Sequence, residues 1–448
     1  MKKFIETIKN IWSIEDLRNR ILTTLLLVAI YRLGSYISLP GIDPNRLMAS
    51  FTESSNKGVL GLFNMFAGGS FSRASIFALG IMPYISASIA IQLLTIAVPY
   101  FQKLQKEGES GRKKINQYTR LLTVVVTAFQ ASAYVAYLKQ QSGGAIIPEY
   151  GTFLFWLSTT VVLTAGTLFV MWLGEKITDK GIGNGTSIII MVGILARLPQ
   201  SLIEEFVTST NAGGGGLLKF LIEIAFFILI TVGLILLVQG TRKIPVNYAK
   251  RIVGNKQYGG VRQFIPLKVN AAGVMPIIFA QAIMFIPATV IGFATSPESS
   301  SGFIRIFSDH TNAYYNLIYC VLVVVFTYFY TALIFNPKQM AEEMKRNNGF
   351  IPGVKPGEAT ADYIGAVMDR ITLPGAFFLA AVGIMPGVAA ALNINSGFAT
   401  FFGGTSLLIM VGVILDTLQQ IESQLLMRHY DGLMSSGRIK GRSTPANV

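Results

Sequence analysis

The chain has 448 residues, 52% of them hydrophobic and 13% charged, with a formal net charge of +14; an average soluble domain carries about 25% charged residues. One Cys and two His exclude an internal disulfide framework and are too few and too scattered for a Cys/His zinc site. The chain is also too apolar for disorder. Its apolar residues come in blocks long enough to cross a bilayer, which overrides the several soluble domains that length alone would predict.

In chain order, Met1–Arg20 is charged and amphipathic and lacks a small-residue cleavage site, so it reads as a retained segment and not a cleaved leader. A spanning helix needs about 20 mostly apolar residues, because every backbone polar group must be paired inside the ~30 Å hydrocarbon layer. Hydropathy predicts ten spans: Ile21–Ser38, Ile76–Val98, Leu121–Leu138, Phe153–Leu173, Thr186–Leu198, Leu217–Val238, Ala271–Phe293, Tyr315–Phe335, Leu373–Leu392 and Phe402–Leu426. The expected fold class is therefore an all-α polytopic membrane protein. Five spans fall in an N-terminal half, residues 21–198, and five in a C-terminal half, residues 199–426, with 427–448 as a tail. An odd number of spans per half inverts one half relative to the other, an architecture that puts a pathway at their interface.

The basic residues predict orientation. If the first terminus is cytoplasmic, 29 of the 37 Lys and Arg fall in cytoplasmic segments, seven lie in outer segments, and Arg32 sits inside the first span. That asymmetry fits the positive-inside rule with both termini cytoplasmic. The same basic face could serve topology alone or dock an anionic surface.

Several segments stand apart from the spans. The loops Gln239–Asn270 and Asn336–Thr372 are long and basic, and in the second Pro352, Gly353, Pro356 and Gly357 shape a turn with Lys355 at its tip. Gly58–Gly69 is apolar, too short to span and glycine-flanked, which predicts a re-entrant element or a helix packed on the outer surface. Gly181-Ile-Gly-Asn-Gly185 lacks the strand that precedes a phosphate-binding glycine loop and reads as a flexible entry to the fifth span.

Catalysis finds little support, and no cofactor is expected. Both His310 and His429 lie outside the spans, no phosphate-loop motif is present, and no metal ligand set is visible. Arg32 and Glu223 lie toward outer span ends, where they can snorkel; Asp416 and Glu422 lie toward the inner end of the last span. Apolar β-branched residues recur in the spans, with Ile81 and Ile85 four apart on one helical face. Alone, that pattern describes most membrane helices.

The motifs Phe63-Asn-Met-Phe66, the run Ser72 to Ser88, Lys106-Glu-Gly-Glu-Ser-Gly-Arg112, Met171-Trp-Leu-Gly-Glu175, Gly181–Gly185, Val246-Asn-Tyr-Ala-Lys250, Leu267-Lys-Val-Asn270, Tyr330 to Pro337 and Phe402 to Ile409 resemble the SecY family. These are the central subunits of bacterial protein-conducting channels. The resemblance runs from about Ile14 to Gly441.

It implies a central hourglass pore closed by an apolar ring: Ile81 and Ile85, Thr186 and Ile190, Ile278, and Ile409. A narrow apolar constriction dewets and blocks ions, yet offers a passing chain no specific hydrogen bonds. Thr186 departs from the family's usual aliphatic residue, which leaves two readings open: a weakened seal, or a hydroxyl bonded back to its own helix with the methyl presented. Leu62, Phe63, Asn64, Met65, Phe66, Ala67, Gly68 and Gly69 resemble the family's plug. The implied lateral gate draws on Ser86, Ile89 and Gln92 from the second span and Pro276 and Gln281 from the seventh, and would release hydrophobic segments sideways into lipid.

By the same resemblance, Arg242, Lys243, Lys250 and Arg251 in one loop and Lys345, Arg346 and Lys355 in the other would dock the ribosome or the SecA motor. Family members commonly carry Arg where Lys355 stands, and Arg's planar fork differs from the point charge of Lys. SecE and SecG small subunits, secretory and membrane-protein nascent chains and a bacterial inner-membrane bilayer complete the implied surroundings. The alternative reading, a secondary transporter with inverted repeats, would need a polar midplane site that the spans do not display.

Overall fold

The structure is a computed structural model that describes residues 14–43, 66–141, 152–211, 216–248, 262–281, 312–392 and 394–435, with residues 12, 47, 64, 251–253, 256–258 and 283–284 besides. The chain forms two compact units. The first comprises Met1–Phe51, Asn64–Ala196 and Val413–Val448, and the second Thr52–Phe63 and Arg197–Gly412.

Helices dominate both. The first unit contains α1 (Glu15–Gly34), α2 (Met82–Ala97), α3 (Pro99–Lys106), α4 (Glu109–Gln141), α5 (Thr152–Lys180) and α6 (Gly185–Leu195). The second contains α7 (Leu198–Asn211), α8 (Gly216–Gln239), α9 (Ala313–Ile334), α10 (Pro337–Arg346), α11 (Glu358–Ala391) and α12 (Ser396–Ala399). The last helix, α13 (Gly404–Ser435), begins in the second unit and ends in the first. Seven described stretches are long and apolar enough to cross a membrane, and an eighth if Met82–Thr95 and Pro99–Lys106, bent by 95°, count as one span. The chain is thus a polytopic helical membrane protein.

Of the remaining expected spans, the first lies on α1. Five charged residues in Glu15–Gly34 leave only Ile21–Gly34 with Arg32 as its apolar part. Of the seventh, 275–281 are helical, and the part beyond Met284 lies outside the described residues. Outward side chains on the spanning helices are large and apolar, including Leu25 and Leu26 on α1 and Phe129 on α4. Several threonines are satisfied within their own helices: Thr123, Thr127, Thr327, Thr331 and Thr372 each donate to the carbonyl four residues back at 2.6–2.8 Å. This is the expected solution where water cannot supply partners.

Hydropathy underestimates the helices at their charged ends. Pro99–Arg120, expected as a loop, is α3 and the first turns of α4. Leu198–Asn211, expected beyond the fifth span, is α7, and Gly185–Asn211 together meets the length of a span. Residues 358–372, expected in a loop, are the first four turns of α11. A charged helix leaving the bilayer keeps its hydrogen bonds, so hydropathy marks where lipid ends and not where the helix does.

Both long basic loops belong to one small module in the second unit. Strand β1 (Thr241–Tyr248) pairs antiparallel with β4 (Arg262–Lys268) from Thr241 opposite Lys268 to Asn247 opposite Arg262. On its other edge β1 pairs with β5 (Gly349–Phe350), giving the order β4-β1-β5. A separate hairpin joins β2 (Arg251–Val253) to β3 (Lys256–Tyr258). Alternation places Ile244 and Val246 on the buried face, where they pack with Leu267, Met344 of α10, Ile351, and Ile364 and Met368 of α11. The two loops share one core.

Candidate functional site

Of the residues expected in a ring, Ile81 and the backbone of Thr186 lie beside α5 in the first unit. Ile81 is the N-cap residue of α2, and its carbonyl accepts the Ile85 N–H at 3.2 Å, so the two side chains leave one helical face a turn apart. On α6, Thr186 and Ile190 are likewise one turn apart. A Cβ placed on Gly174 of α5 would lie 3.5 Å from Ile81 Cδ1, 3.5 Å from the Thr186 nitrogen and 3.6 Å from Ile189 Cδ1. Ile81 and Thr186, more than a hundred residues apart in sequence, therefore meet around one small residue of α5. Helices α5 and α6 approach so closely at their turn that a Cβ on Gly185 would overlap the Gly174 carbonyl.

In the second unit, Ile278 lies in the helical segment 275–281 and donates its N–H to the Val274 carbonyl at 3.3 Å. Ile409 lies on α13 within an unbroken buried run from Phe401 to Val413. Their segments touch where Gly412 faces Val274; a Cβ there would sit 3.2 Å from Val274 Cγ2. Ile81, Ile190 and Ile409 are buried (3%, 5% and 4% exposed), and Ile85, Thr186 and Ile278 are half-buried. None belongs to the outward apolar surface, where Phe129 is 76% exposed.

The loop Gly181–Asn184 feeding α6 is locked, not flexible. Gly181 N–H donates to the Ile177 carbonyl at 2.8 Å, Ile182 N–H to Thr24 Oγ1 at 3.1 Å, Gly183 N–H to Gln420 Oε1 at 2.9 Å, and Gly185 N–H to Thr178 Oγ1 at 2.9 Å. Asn184 Oδ1 caps α6 by accepting from the Ser187 N–H at 3.4 Å. The glycines are required by space and dihedral angle: Gly183 has φ +78°, and a Cβ on Gly181 would sit 2.4 Å from Thr24 Oγ1. Thr186 is the second residue of α6, so the carbonyl four residues back belongs to the loop and not to a helical turn. Among the described residues its hydroxyl has no hydrogen-bond partner, unlike the back-bonded threonines of the longer helices.

Of the segment expected as a plug, Asn64 and Phe66 to Gly69 are described, while Leu62, Phe63 and Met65 lie outside the described residues. Its root is strongly held in the first unit. Asn64 Oδ1 accepts from the Ser72 N–H at 3.1 Å, and Gly69 N–H donates to the Asn64 carbonyl at 2.7 Å. The Gly68 carbonyl accepts from Arg73 Nη2 at 3.0 Å and Arg32 Nη1 at 3.4 Å, and both guanidiniums lie over the Tyr36 ring at 4.2 and 5.5 Å. Gly68, at φ +63°, rests on Gly193 of α6: a Cβ on Gly193 would come within 2.7 Å of the Phe66 carbonyl oxygen. Arg32 thus bonds to the Gly68 carbonyl within the first unit. Glu223 is 5% exposed, with Lys219 Nζ 3.6 Å from Oε1. Sequence hydropathy carries no signal for either arrangement.

Of the residues expected at a lateral gate, Ser86 bonds back to the Met82 carbonyl at 3.1 Å, Ile89 is buried and Gln92 half-buried on α2. Pro276 is buried and Gln281 half-buried on the 275–281 helix. Helix α2 stops at Val98, where Pro99 opens α3.

The residues expected to dock a partner divide by position. Arg242 and Lys243 are exposed at the foot of β1, within four residues of the end of α8. Arg251 begins β2, its side chain outside the described residues, as is Lys250. Lys345 and Arg346 are exposed in the last turn of α10, where cations favour the helix dipole. Lys355 is exposed on a shaped turn: Gly353 and Gly357 have φ +85° and +108°, and Thr360 Oγ1 donates to the Lys355 carbonyl at 2.8 Å. The alternating Ile244, Val246, Tyr248 pattern is the signal by which the shared module could have been read from sequence.

A SecY family model matches residues 75–418. The chain belongs to the SecY family. The "Protein translocase subunit SecY" of Thermus thermophilus is 44% identical over 444 residues, 97% of this chain and 100% of that protein. Two solved structures show the same fold. One, a SecY whose plug domain is described as stabilising the closed state of the translocation channel and maintaining a membrane seal, aligns with TM-score 0.62 at 17% identity, covering 91% of this chain and 92% of the other. The other, Sec61 in the canine ribosome-channel complex from the endoplasmic reticulum, aligns with TM-score 0.60 at 16% identity over the same shares.

Proposed function

We propose that this chain is the channel-forming subunit of a protein translocase, passing unfolded secretory polypeptides across the membrane and releasing hydrophobic segments sideways into lipid. Membership of the SecY family supports this at full length. The observation that supports the mechanism is that none of the six residues is exposed: Ile81, Ile190 and Ile409 are buried, and Ile85, Thr186 and Ile278 are half-buried. Ile81, Ile85, Thr186, Ile190, Ile278 and Ile409 form the apolar constriction that excludes ions at rest. The segment Leu62–Gly69 acts as the plug beneath it, held at its root by Arg32 and Arg73. Ser86, Ile89, Gln92, Pro276 and Gln281 line the lateral gate, where sorting is partitioning: segments rich in Leu, Ile, Val or Phe enter lipid and charged ones do not.

In this reading ten spans form two inverted halves, residues 21–198 and 199–426, around an hourglass pore, with both termini cytoplasmic in a bacterial inner membrane. The module holding both basic loops, with Arg242, Lys243, Lys250, Arg251, Lys345, Arg346 and Lys355, docks the ribosome or the SecA motor. SecE and SecG complete the complex. The chain works as a conduit and not as an enzyme, and energy comes from the ribosome, the motor or the membrane potential. The direct test is reconstitution with SecE, SecG and SecA in proteoliposomes, scoring protease protection of a secretory precursor. Protection that needs ATP and this chain is expected; solute uptake with no protected precursor would favour a secondary transporter instead.

A further inference from the structure

We infer that Gln420 and Thr24 are positioning residues of the pore ring, holding the loop that presents Thr186 and Ile190 through two side-chain acceptors; this rests on the ring reading above. In the loop Gly181–Asn184 the Gly181 amide is accepted by the Ile177 carbonyl of α5, and the Ile182 and Gly183 amides that follow are bonded outside α5. Buried backbone donors need partners, and the loop obtains two from helices distant in sequence. Gly183 N–H donates to Gln420 Oε1 of α13 at 2.9 Å, and Ile182 N–H to Thr24 Oγ1 of α1 at 3.1 Å.

The Thr24 acceptor is itself oriented. The Thr24 hydroxyl spends its own proton on the Arg20 carbonyl at 2.9 Å, which fixes a lone pair toward Ile182. Arg20 Nη1 then reaches the Gly181 carbonyl at 3.4 Å, so α1 holds the loop from both sides of one peptide plane. On the α13 side, Thr417 lies one turn before Gln420, and its Oγ1 would sit 3.0 Å from a Cβ on Gly183. That hydroxyl donates to the Val413 carbonyl at 2.7 Å, and the Gly183 amide is accepted by Gln420 Oε1.

The consequence reaches the ring because the loop and α6 are one rigid piece. Gly185 is pinned to Thr178 and packed against the Gly174 carbonyl, and Thr186 follows directly. Gln420 is exposed on α13, the helix that also carries Ile409.

The acceptor oxygen, not side-chain bulk, is the claim. Gln420→Met and Thr24→Val keep size and lose the acceptor; Gln420→Glu and Thr24→Ser keep the acceptor. The complete complex in planar bilayers should show resting ion leak raised about five-fold by Q420M and by T24V, the population shift one neutral hydrogen bond supports. Q420E and T24S should stay within about two-fold of the parent. Hydrogen exchange over residues 181–187 should accelerate in the first pair only, a readout that does not depend on conductance. Ile190→Gly is the control for the ring. A leak raised by I190G, with Q420M and T24V at parental leak and parental exchange, overturns the inference alone. Equal leak from all four Gln420 and Thr24 variants also overturns it, since the acceptor would then not matter. A silent I190G removes the ring reading, and the inference with it.

Discussion

Replacing Met344 with Ala should loosen both basic loops at once, although Met344 belongs to only one of them. Met344 is 6% exposed in a core of seven buried side chains drawn from β1, β4, α10, the β5 turn and α11. Removing a buried Met side chain costs about 2–5 kcal/mol, combining lost transfer energy with the cavity left behind. The module is small, and the other six members contribute about 1.5–3 kcal/mol each before ordering costs, so the loss is a large share of its local stability. At the low end, about 2 kcal/mol raises the locally open population roughly 30-fold. Hydrogen exchange on the reconstituted complex reads this segment by segment. Exchange should accelerate together across residues 241–248, 262–268 and 337–351, while α4 and α5 stay at parental rates. Acceleration confined to 337–351, with the β1–β4 pair unchanged, would refute the shared core and return the two loops to independent connectors.

Gly193→Ala should raise resting ion leak in planar bilayers, because the new Cβ would lie 2.7 Å from the Phe66 carbonyl and must lift the plug root by several tenths of an ångström. Overpacking of this kind costs about 1–3 kcal/mol; Gly233→Ala on α8, where a Cβ meets only Phe378 Cζ at 3.4 Å, should leave leak unchanged. Equal leak in both variants would argue against the plug root as a sealing contact. Charge reversal of Arg251 and Lys355 should weaken motor or ribosome binding, with the deficit growing as salt is lowered, since a docking contact between exposed charges is screened within about 10 Å at 0.1 M. Binding that is unaltered and insensitive to salt would remove the docking role.

Much of this architecture was legible because a bilayer permits so few solutions. A run such as Leu217–Val238 has little alternative to helix, and α8 forms over it. Charge scarcity and the family motifs pointed to the expected ring positions; the neighbourhood of the Ile81 side chain and the Thr186 backbone at Gly174 is a tertiary contact that no local pattern announces. What stayed hidden depends on pairings between distant segments. Ile244, Val246 and Leu267 alternate visibly, yet nothing local says that Met344 and Ile364 complete their core. Gly181–Gly185 looks flexible by composition, because glycine is conformationally free until neighbours such as Thr24 and Gln420 fix it. Arg32 looks like a snorkelling cation until the Gly68 carbonyl is found within reach.

The central claim is that an apolar waist, not a polar binding chamber, separates the two sides of the membrane at rest. Its most direct measurement is single-channel recording in planar bilayers on the reconstituted complex, with Ile81, Ile85, Ile190 and Ile278 replaced by Gly singly and together. The account predicts a resting conductance that climbs with each apolar side chain removed, as water and ions enter a waist that no longer dewets. A fourfold variant, assembled and recorded alongside the parent, that leaks no more than it does would contradict the account.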